Sequence, residues 1–297
     1  MNTIIMNGMN GGNFGLGAVA AQRLSETPDT RLINGGRETH VPLDLANQCS
    51  IGQFAKQVLD TLGKTKINSL VLNAGLSFPT EALTVDGYEI TFAVNHLGHY
   101  LLLRLLTPSL ARNAIVVMTT SNTHDPLFSP VAPFTFVDAQ HLAYLDLEKG
   151  AHGGVAFEAG FRAYATSKLC NLLTVRAFAA SSEVKARRLR VIAYNPGYTP
   201  GTGTGTGTGT GLGRNLPHGA LPGPVMALSP YFAEGMRIQA GEFLANLALG
   251  QIVPPKERLY ASLVRGQLTW PEPSELARRE DIAQQLWRDS AMLTSMD

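Results

Sequence analysis

Between Asn10 and Gly17 the chain reads Asn-Gly-Gly-Asn-Phe-Gly-Leu-Gly, directly after the apolar run Thr3–Met6 and directly before a helical pattern through Val19, Ala20 and Leu24. A glycine cluster at that junction lets the backbone turn tightly and approach a ligand closely. The free N–H groups of the helix then face whatever lies there, an arrangement suited to a pyrophosphate. Gly11, Gly15 and Gly17 carry this reading, with Asn13, Phe14 and Leu16 between them. Asn7-Gly8 offers an alternative strand-end pair, but the Gly11 register leads straight into Ala18–Leu24 and is preferred.

The rest of the chain repeats the strand-then-helix rhythm. Arg31–Asn34, Ser69–Leu72, Ile115–Met118 and Arg190–Tyr194 are short apolar or β-branched runs, as strands buried on both faces require. Helical patterns are expected over Asp86–Leu106, around Tyr164–Phe178 and over Ser274–Leu293, the last packing through Leu276, Ile282, Leu286, Trp287 and Leu293. This alternation predicts an α/β fold, a Rossmann-type doubly wound parallel sheet with helices on both faces, in one domain over residues 1–297. Two stretches break the rhythm. Residues 122–161, with Pro126, Pro130 and Pro133, read as an insertion near the site. Residues 199–232 read as a flexible substrate loop, in which 201–211 alternate Gly and Thr as either a linker or a lid.

Composition excludes several classes. An apolar share of 44% against 16% charged residues indicates a sizeable core. A formal net charge of +1 gives no electrostatic reason to bind nucleic acid. Two cysteines, Cys49 and Cys170, are too few for a disulfide framework or a cysteine zinc site. His96 and His99 lack an evident third ligand, so they read as structural and no metal site is expected. His124-Asp125-Pro126 reads equally as a turn or as part of the cleft wall. The first residues lack a basic region and a long apolar stretch, and no run reaches the ~20 residues of a membrane span. No signal peptide is therefore expected, and the cytoplasm is the expected location; oligomeric state stays open.

The ribose-reading position falls about 20 residues past the glycines. There the second strand ends in Gly35-Gly36-Arg37, without a carboxylate at its tip. Arg37 suits a 2′-phosphate, so NADP(H) is the expected cofactor. Asp44, beside Leu45, can accept from the adenine amino group or cap a helix. Asn73-Ala74-Gly75 ends the next strand beside the cofactor.

Tyr164-Ala165-Thr166-Ser167-Lys168 sets a phenol and an ammonium four residues apart on one helix face. The lysine is expected to favour the phenolate and bring the tyrosine's ordinary value near 10 downward. Taken alone the pair is a weak signal. Taken in order with the glycine turn, Asn73-Ala74-Gly75, Asn95, Ser121 and Asn195-Pro196-Gly197, it resembles the short-chain dehydrogenase/reductase family over essentially the whole chain. The resemblance is to the branch of retinol dehydrogenases and light-dependent protochlorophyllide reductases. Asn95-His96-Leu97-Gly98-His99-Tyr100, Ser167-Lys168-Leu169-Cys170-Asn171 and Leu286-Trp287-Arg288-Asp289-Ser290 carry it. It implies Tyr164 as general acid/base, Lys168 as its partner on the nicotinamide ribose, Ser121 on the reacting carbonyl and Asn95 in a proton relay. Ser121 is preferred to Thr120 as the second place of the usual serine pair. The resemblance also brings Leu45, Pro196, Gly197 and Thr199 to the cofactor. The implied activity is NADPH-dependent hydride transfer to a ketone, or from a secondary alcohol, of a small molecule. Reduction of a conjugated C=C bond is the alternative, resting on Cys170, which matches a cysteine the pigment reductases carry on the same helix but reads first as a small buried hydrophobe, and a non-catalytic NADPH-binding regulator is the third. Three departures stand out: Asn10-Gly11 replaces Thr-Gly after an extra Met-Asn-Gly, Ala165-Thr166 replaces a Lys-Asp pair, and the Gly-Thr repeat replaces a more featured loop.

Overall fold

Strand side chains alternate between the two faces of a sheet, so a strand apolar at every position needs cover on both sides. The first strand shows this in the computed structural model, which describes residues 1–8, 15–78, 82–144, 156–197 and 236–296. β1, Asn2–Asn7, sends Ile5 into one core cluster and Ile4 and Met6 into another. The remaining strands are β2 Thr30–Gly36, β3 Val41–Pro42, β4 Ile67–Leu72, β5 Leu110–Thr119, β6 Arg190–Asn195, β7 Tyr260–Val264 and β8 Gln267–Thr269. They form one sheet in the order β3-β2-β1-β4-β5-β6-β7-β8. All neighbours pair in parallel except β7 and β8.

The two clusters are the two helical layers. α1, Leu16–Ser25, and α8, Met236–Ala248, cover the Ile4 face. On the Ile5 face lie α2, Gln48–Leu62, and a broken helix made of α3, Ile90–Phe92, a π turn at Ala93–Leu97 and α4, Gly98–Leu106. A short α5, Ala139–Ala143, the long α6, Ala156–Ala180, α7, Ser182–Arg187, and α9, Glu280–Leu293, complete that layer. The sheet is doubly wound, and the chain reverses its direction of growth between β1 and β4. The carboxyl ends of those strands flank the crevice where such sheets bind ligands.

Differences from the expected elements have local causes. The helix expected from Asp86 starts at Ile90, because Glu89 caps it by accepting from Thr91 and Phe92 N–H at 2.9 and 2.7 Å. Asp86 instead accepts from the Gln48 backbone, and Gly87 turns with φ of 82°. The insertion ends sooner than 161, since α6 already begins at Ala156. Its described part is pinned to α6 by Phe134 N–H donating to Thr166 Oγ1 at 2.9 Å and by Arg162 donating to the Ala132 carbonyl at 3.0 Å. The terminal helix is not continuous from Ser274. A 3₁₀ turn at Leu276–Arg278 is broken from α9 by extended backbone at Arg279. α9 packs as expected: Trp287 stacks on Phe178 at 5.8 Å and meets Tyr100 edge-on at 4.8 Å. The β7–β8 hairpin was not anticipated. Its turn, Arg265-Gly266, holds both residues at positive φ, 50° and 76°, the tight reversal that matches strand twist.

Candidate active site

Three strand tips are stitched together by two amides, Asn7 and Asn73. Asn7, the last residue of β1, accepts through Oδ1 from the Asn73 and Ala74 N–H groups at 2.8 and 3.0 Å. Asn73 in turn accepts from the Thr119 hydroxyl at 3.1 Å, tying in β5. The backbone at Gly8 lies against this knot with φ of 103°; a Cβ there would stand 2.7 Å from Asn73 Nδ2 and 2.8 Å from the Ala74 nitrogen. Gly17 meets the Asn73 amide as well: a Cβ there would stand only 2.7 Å from Asn73 Nδ2. β1 thus ends at Asn7-Gly8, the pair that the sequence offers as the alternative to the Gly11 register. Gly15, φ 88°, is the N-cap of α1 and brings no capping side chain to the N–H groups of its first turn. Gly11, Asn13 and Phe14 lie outside the described residues.

The second half of the site is built on α6 and the π turn. One extra residue per turn displaces Asn95 from the regular helical position. Asn95 accepts from Leu76 N–H at 2.8 Å, donates to the Leu76 carbonyl at 2.8 Å and donates to Ser167 Oγ at 3.0 Å. It thus joins the Asn73-Ala74-Gly75 loop to α6. Ser167 passes its own proton to the Tyr164 carbonyl at 2.7 Å. Lys168 Nζ reaches the Thr119 carbonyl only at 3.4 Å and sits 5.6 Å from the Tyr164 ring centroid. A Cβ at Gly75 would stand 3.1 Å from that ammonium and 3.6 Å from Asn95 Oδ1, so Tyr164, Lys168, Asn95 and Gly75 share one small space. Thr120 is spent elsewhere: buried, it donates to the Lys168 carbonyl at 2.7 Å. Ser121 is the hydroxyl that hydrogen-bonds the Tyr164 phenol.

Burial governs the charges here. It pushes the Tyr164 phenol up to about 12, and the Ser121 hydrogen bond pulls the other way by less. It pushes the Lys168 ammonium down to about 8. The expected lowering of Tyr164 by Lys168 is thus corrected, because desolvation of the phenolate dominates. His96 and His99 are pushed down to about 3 by burial and are neutral. His96 Nε2 bonds Ser290 Oγ at 2.8 Å and His99 Nδ1 bonds the Asn95 carbonyl at 2.9 Å, a structural engagement for both. Cys170 is fully buried in the core with its thiol pushed up, a packing residue.

Of the remaining sequence candidates, Arg37 is exposed one residue past β2, whose Gly35 carbonyl accepts from Gly8 N–H at 3.2 Å. The tip of β2 therefore adjoins the glycine turn. Asp44 does not cap α2; Asn47 does, and Asp44 accepts from Ala46 N–H at 3.0 Å. Leu45 is buried. Gly197, φ 71°, donates to Asn195 Oδ1 at 3.1 Å as the chain leaves β6 through Pro196. Thr199 and the Gly-Thr repeat lie outside the described residues. Sequence reading missed Asn7, Ser167 and Thr119 as organisers; an asparagine at the end of an apolar strand was the available signal for the first.

The family described as short chain dehydrogenase matches residues 10–130. Protochlorophyllide reductase A, chloroplastic, of Oryza sativa subsp. japonica is 31% identical over 202 residues, covering 57% of this chain and 51% of the relative. Protochlorophyllide reductase B, chloroplastic, of Hordeum vulgare is 31% identical over 204 residues, 57% and 50% of the two chains. The chain thus spans about half the length of these curated relatives. Among solved structures, an uncharacterized protein from Mycobacterium paratuberculosis superposes with a TM-score of 0.64 at 25% identity, covering 99% of this chain and 94% of its own. A short-chain dehydrogenase from Streptomyces avermitilis gives 0.54 at 19% identity, covering 88% and 87%, and shares the fold. No helix among the described residues is long and apolar enough to cross a membrane.

Proposed function

The chain belongs to the short-chain dehydrogenase/reductase family, and from that premise we propose that it is an NADPH-dependent oxidoreductase acting on a ketone, or the matching secondary alcohol, of a small molecule. The observation that carries the reading is the convergence of Tyr164, Ser121, Lys168 and Asn95 around side-chain-free Gly75. The residues fit a nicotinamide dinucleotide. Close backbone approach at Gly8 and Gly17 and a first turn of α1 without a capping side chain suit a pyrophosphate. Arg37, without a carboxylate at the tip of β2, favours a 2′-phosphate. Lys168, whose Nζ has one long acceptor, has donors left for a ribose.

Bound NADPH supplies the hydride that reaches the carbonyl carbon. Ser121 donates to the carbonyl oxygen as negative charge builds on it, and Tyr164 delivers the proton that completes the alcohol. A phenol held near 12 is protonated at neutral pH, which suits it to be the acid of the reductive direction. The proton given up is replaced toward Tyr164 from the Lys168 ammonium, beside which Asn95 fixes the loop and helix. Reduction of a conjugated C=C bond draws support from the protochlorophyllide reductase relatives, but buried Cys170 offers it no acid.

The test is NADPH oxidation over a panel of ketones with the wild-type protein and Tyr164→Phe. Turnover that survives the substitution overturns the assignment; turnover lost while NADPH still binds, by fluorescence titration, supports it.

A further inference from the structure

β5 stops holding the chain just before the reactive serine. The last ladder-like bond is Thr120 N–H to the Tyr194 carbonyl at 2.8 Å. Ser121 follows in extended backbone, φ −153° and ψ 152°, and its hydroxyl makes only long contacts with its neighbours, 3.3 Å from Thr123 N–H and 3.5 Å to Asn122 Oδ1. What fixes the orientation of its peptide is His124. The His124 backbone N–H donates to the Ser121 carbonyl at 3.2 Å, and the imidazole Nδ1 approaches the same oxygen at 2.7 Å.

The ring's protonation follows from its partners. The Ser274 backbone N–H can only donate, so Nε2, 3.2 Å away, is an acceptor. Nδ1 therefore carries the proton and gives it to the Ser121 carbonyl. Burial lowers the ring's affinity for a second proton, which preserves this tautomer. Tyr260 closes the remaining side edge-on, with ring centroids 5.3 Å apart. Ser274 is itself held, since its hydroxyl accepts from Ala277 N–H at 3.4 Å and donates to the His124 carbonyl at 3.5 Å. The chain from Ser121 to Ser274 thus runs through one neutral imidazole.

We propose that His124 is a positioning residue: by donating its Nδ1 proton to the Ser121 carbonyl, it aims the Ser121 hydroxyl at the phenol of Tyr164 and at the reacting oxygen. The proposal rests on the catalytic reading of Ser121 above. The imidazole touches no reacting atom, so its effect belongs in turnover and not in cofactor binding. Two variants divide the clamp. His124→Asn keeps an amide nitrogen near the Nδ1 position and loses the Ser274 contact. His124→Gln keeps a polar group near the Nε2 position and loses the donor to Ser121.

The experiment compares both variants with Ser121→Ala and with the His124→Gln, Ser121→Ala double variant, using NADPH and a ketone turned over by the wild type. His124→Gln is expected to lose about tenfold or more in kcat with NADPH KM unchanged, since small misplacements of a reacting group cost that much. His124→Asn is expected to stay within about threefold of wild type, and in the Ser121→Ala background the Gln substitution is expected to cost almost nothing more, as for residues acting as a unit. A Gln penalty undiminished without the Ser121 hydroxyl would overturn the proposal and leave a purely structural plug. So would a His124→Gln enzyme as fast as wild type beside a slow Ser121→Ala enzyme. Should His124→Gln not fold, a tenfold loss in His124→Asn overturns the proposal and retained kcat supports it. Wild-type turnover by Ser121→Ala would overturn the catalytic reading itself, and the proposal with it.

Discussion

The crevice over β1, β4 and β5 has two halves built on opposite plans. Toward α1 the chain makes room: Gly8, Gly15 and Gly17 withhold side chains so that backbone can approach a ligand. Toward α6 it fills space with polar groups taken out of water, Asn95, Ser167, Lys168 and Tyr164, each buried and nearly all paired within the chain. The first half can only bind, because it offers N–H groups and shape. The second can move a proton, because burial has pushed the phenol up and the ammonium down, holding a protonated phenol beside an ammonium that yields its proton more readily. Substitutions in the two halves should therefore separate into effects on KM and effects on kcat.

The largest effect belongs to Tyr164→Phe, expected to lower kcat about 1,000-fold, within the usual span for losing a general acid. NADPH affinity by fluorescence titration should barely move; a parallel loss of affinity would merge the two halves. Lys168→Met is next, with about a 100-fold loss expected. Its pH dependence gives a sharper reading. The Lys168 ammonium is present below about 8, so the wild-type reductive rate should fall as pH rises through that value, and the variant should lack this limb. Stability should move the other way. The unfolded lysine holds its proton to about 10.4, so between the two values the unfolded chain binds more protons and the folded state gains as pH rises. Chemical denaturation of wild type against Lys168→Met across that window measures it.

This asymmetry also explains what could be read from sequence. Glycine clusters and β-branched runs are local statements, so the parallel, doubly wound sheet was legible in the sequence. Where β1 ends was not: Asn7 marks it by reaching across to the Asn73 and Ala74 backbone. Tyr164, Lys168, Asn95 and Ser121 stood out as candidates through their order, and the Thr120 or Ser121 ambiguity turns on which hydroxyl α6 consumes. The direction of the Tyr164 shift was not legible. Four-residue spacing places the lysine nearby, but only packing sets how much water the phenol loses. The π turn was hidden for the same reason, since no residue type in Ala93–Leu97 announces an extra residue per turn.

On the binding side the effects are smaller and should appear in KM. Gly17→Ala drives a Cβ to 2.7 Å from Asn73 Nδ2 and should raise NADPH KM about tenfold, the scale of modest overpacking, with kcat within a few-fold. A kcat loss larger than the KM change would mean that the Asn73 knot transmits strain to α6. Arg37→Glu removes a phosphate partner and adds a ribose acceptor, so the NADPH-over-NADH ratio of kcat/KM should fall about tenfold or more, the value of one charged hydrogen bond. An unchanged ratio would detach Arg37 from the cofactor.

The smallest effect is expected where the two plans meet neither ligand nor proton. Cys170 lies on the same helix as Tyr164 and Lys168, two residues past the lysine, yet it belongs to the core cluster with Leu169, Leu172 and Leu173. Its thiol is fully buried among apolar side chains and so reaches no substrate to protonate. Cys170→Ala should leave kcat and both KM values unchanged and cost about 1 kcal/mol of stability from the missing sulfur, read as a small fall in Tm. A turnover loss at unchanged Tm would instead give this helix a second acid. It would shift the reading toward reduction of a C=C bond, which needs a proton delivered to carbon away from the Tyr164 phenol.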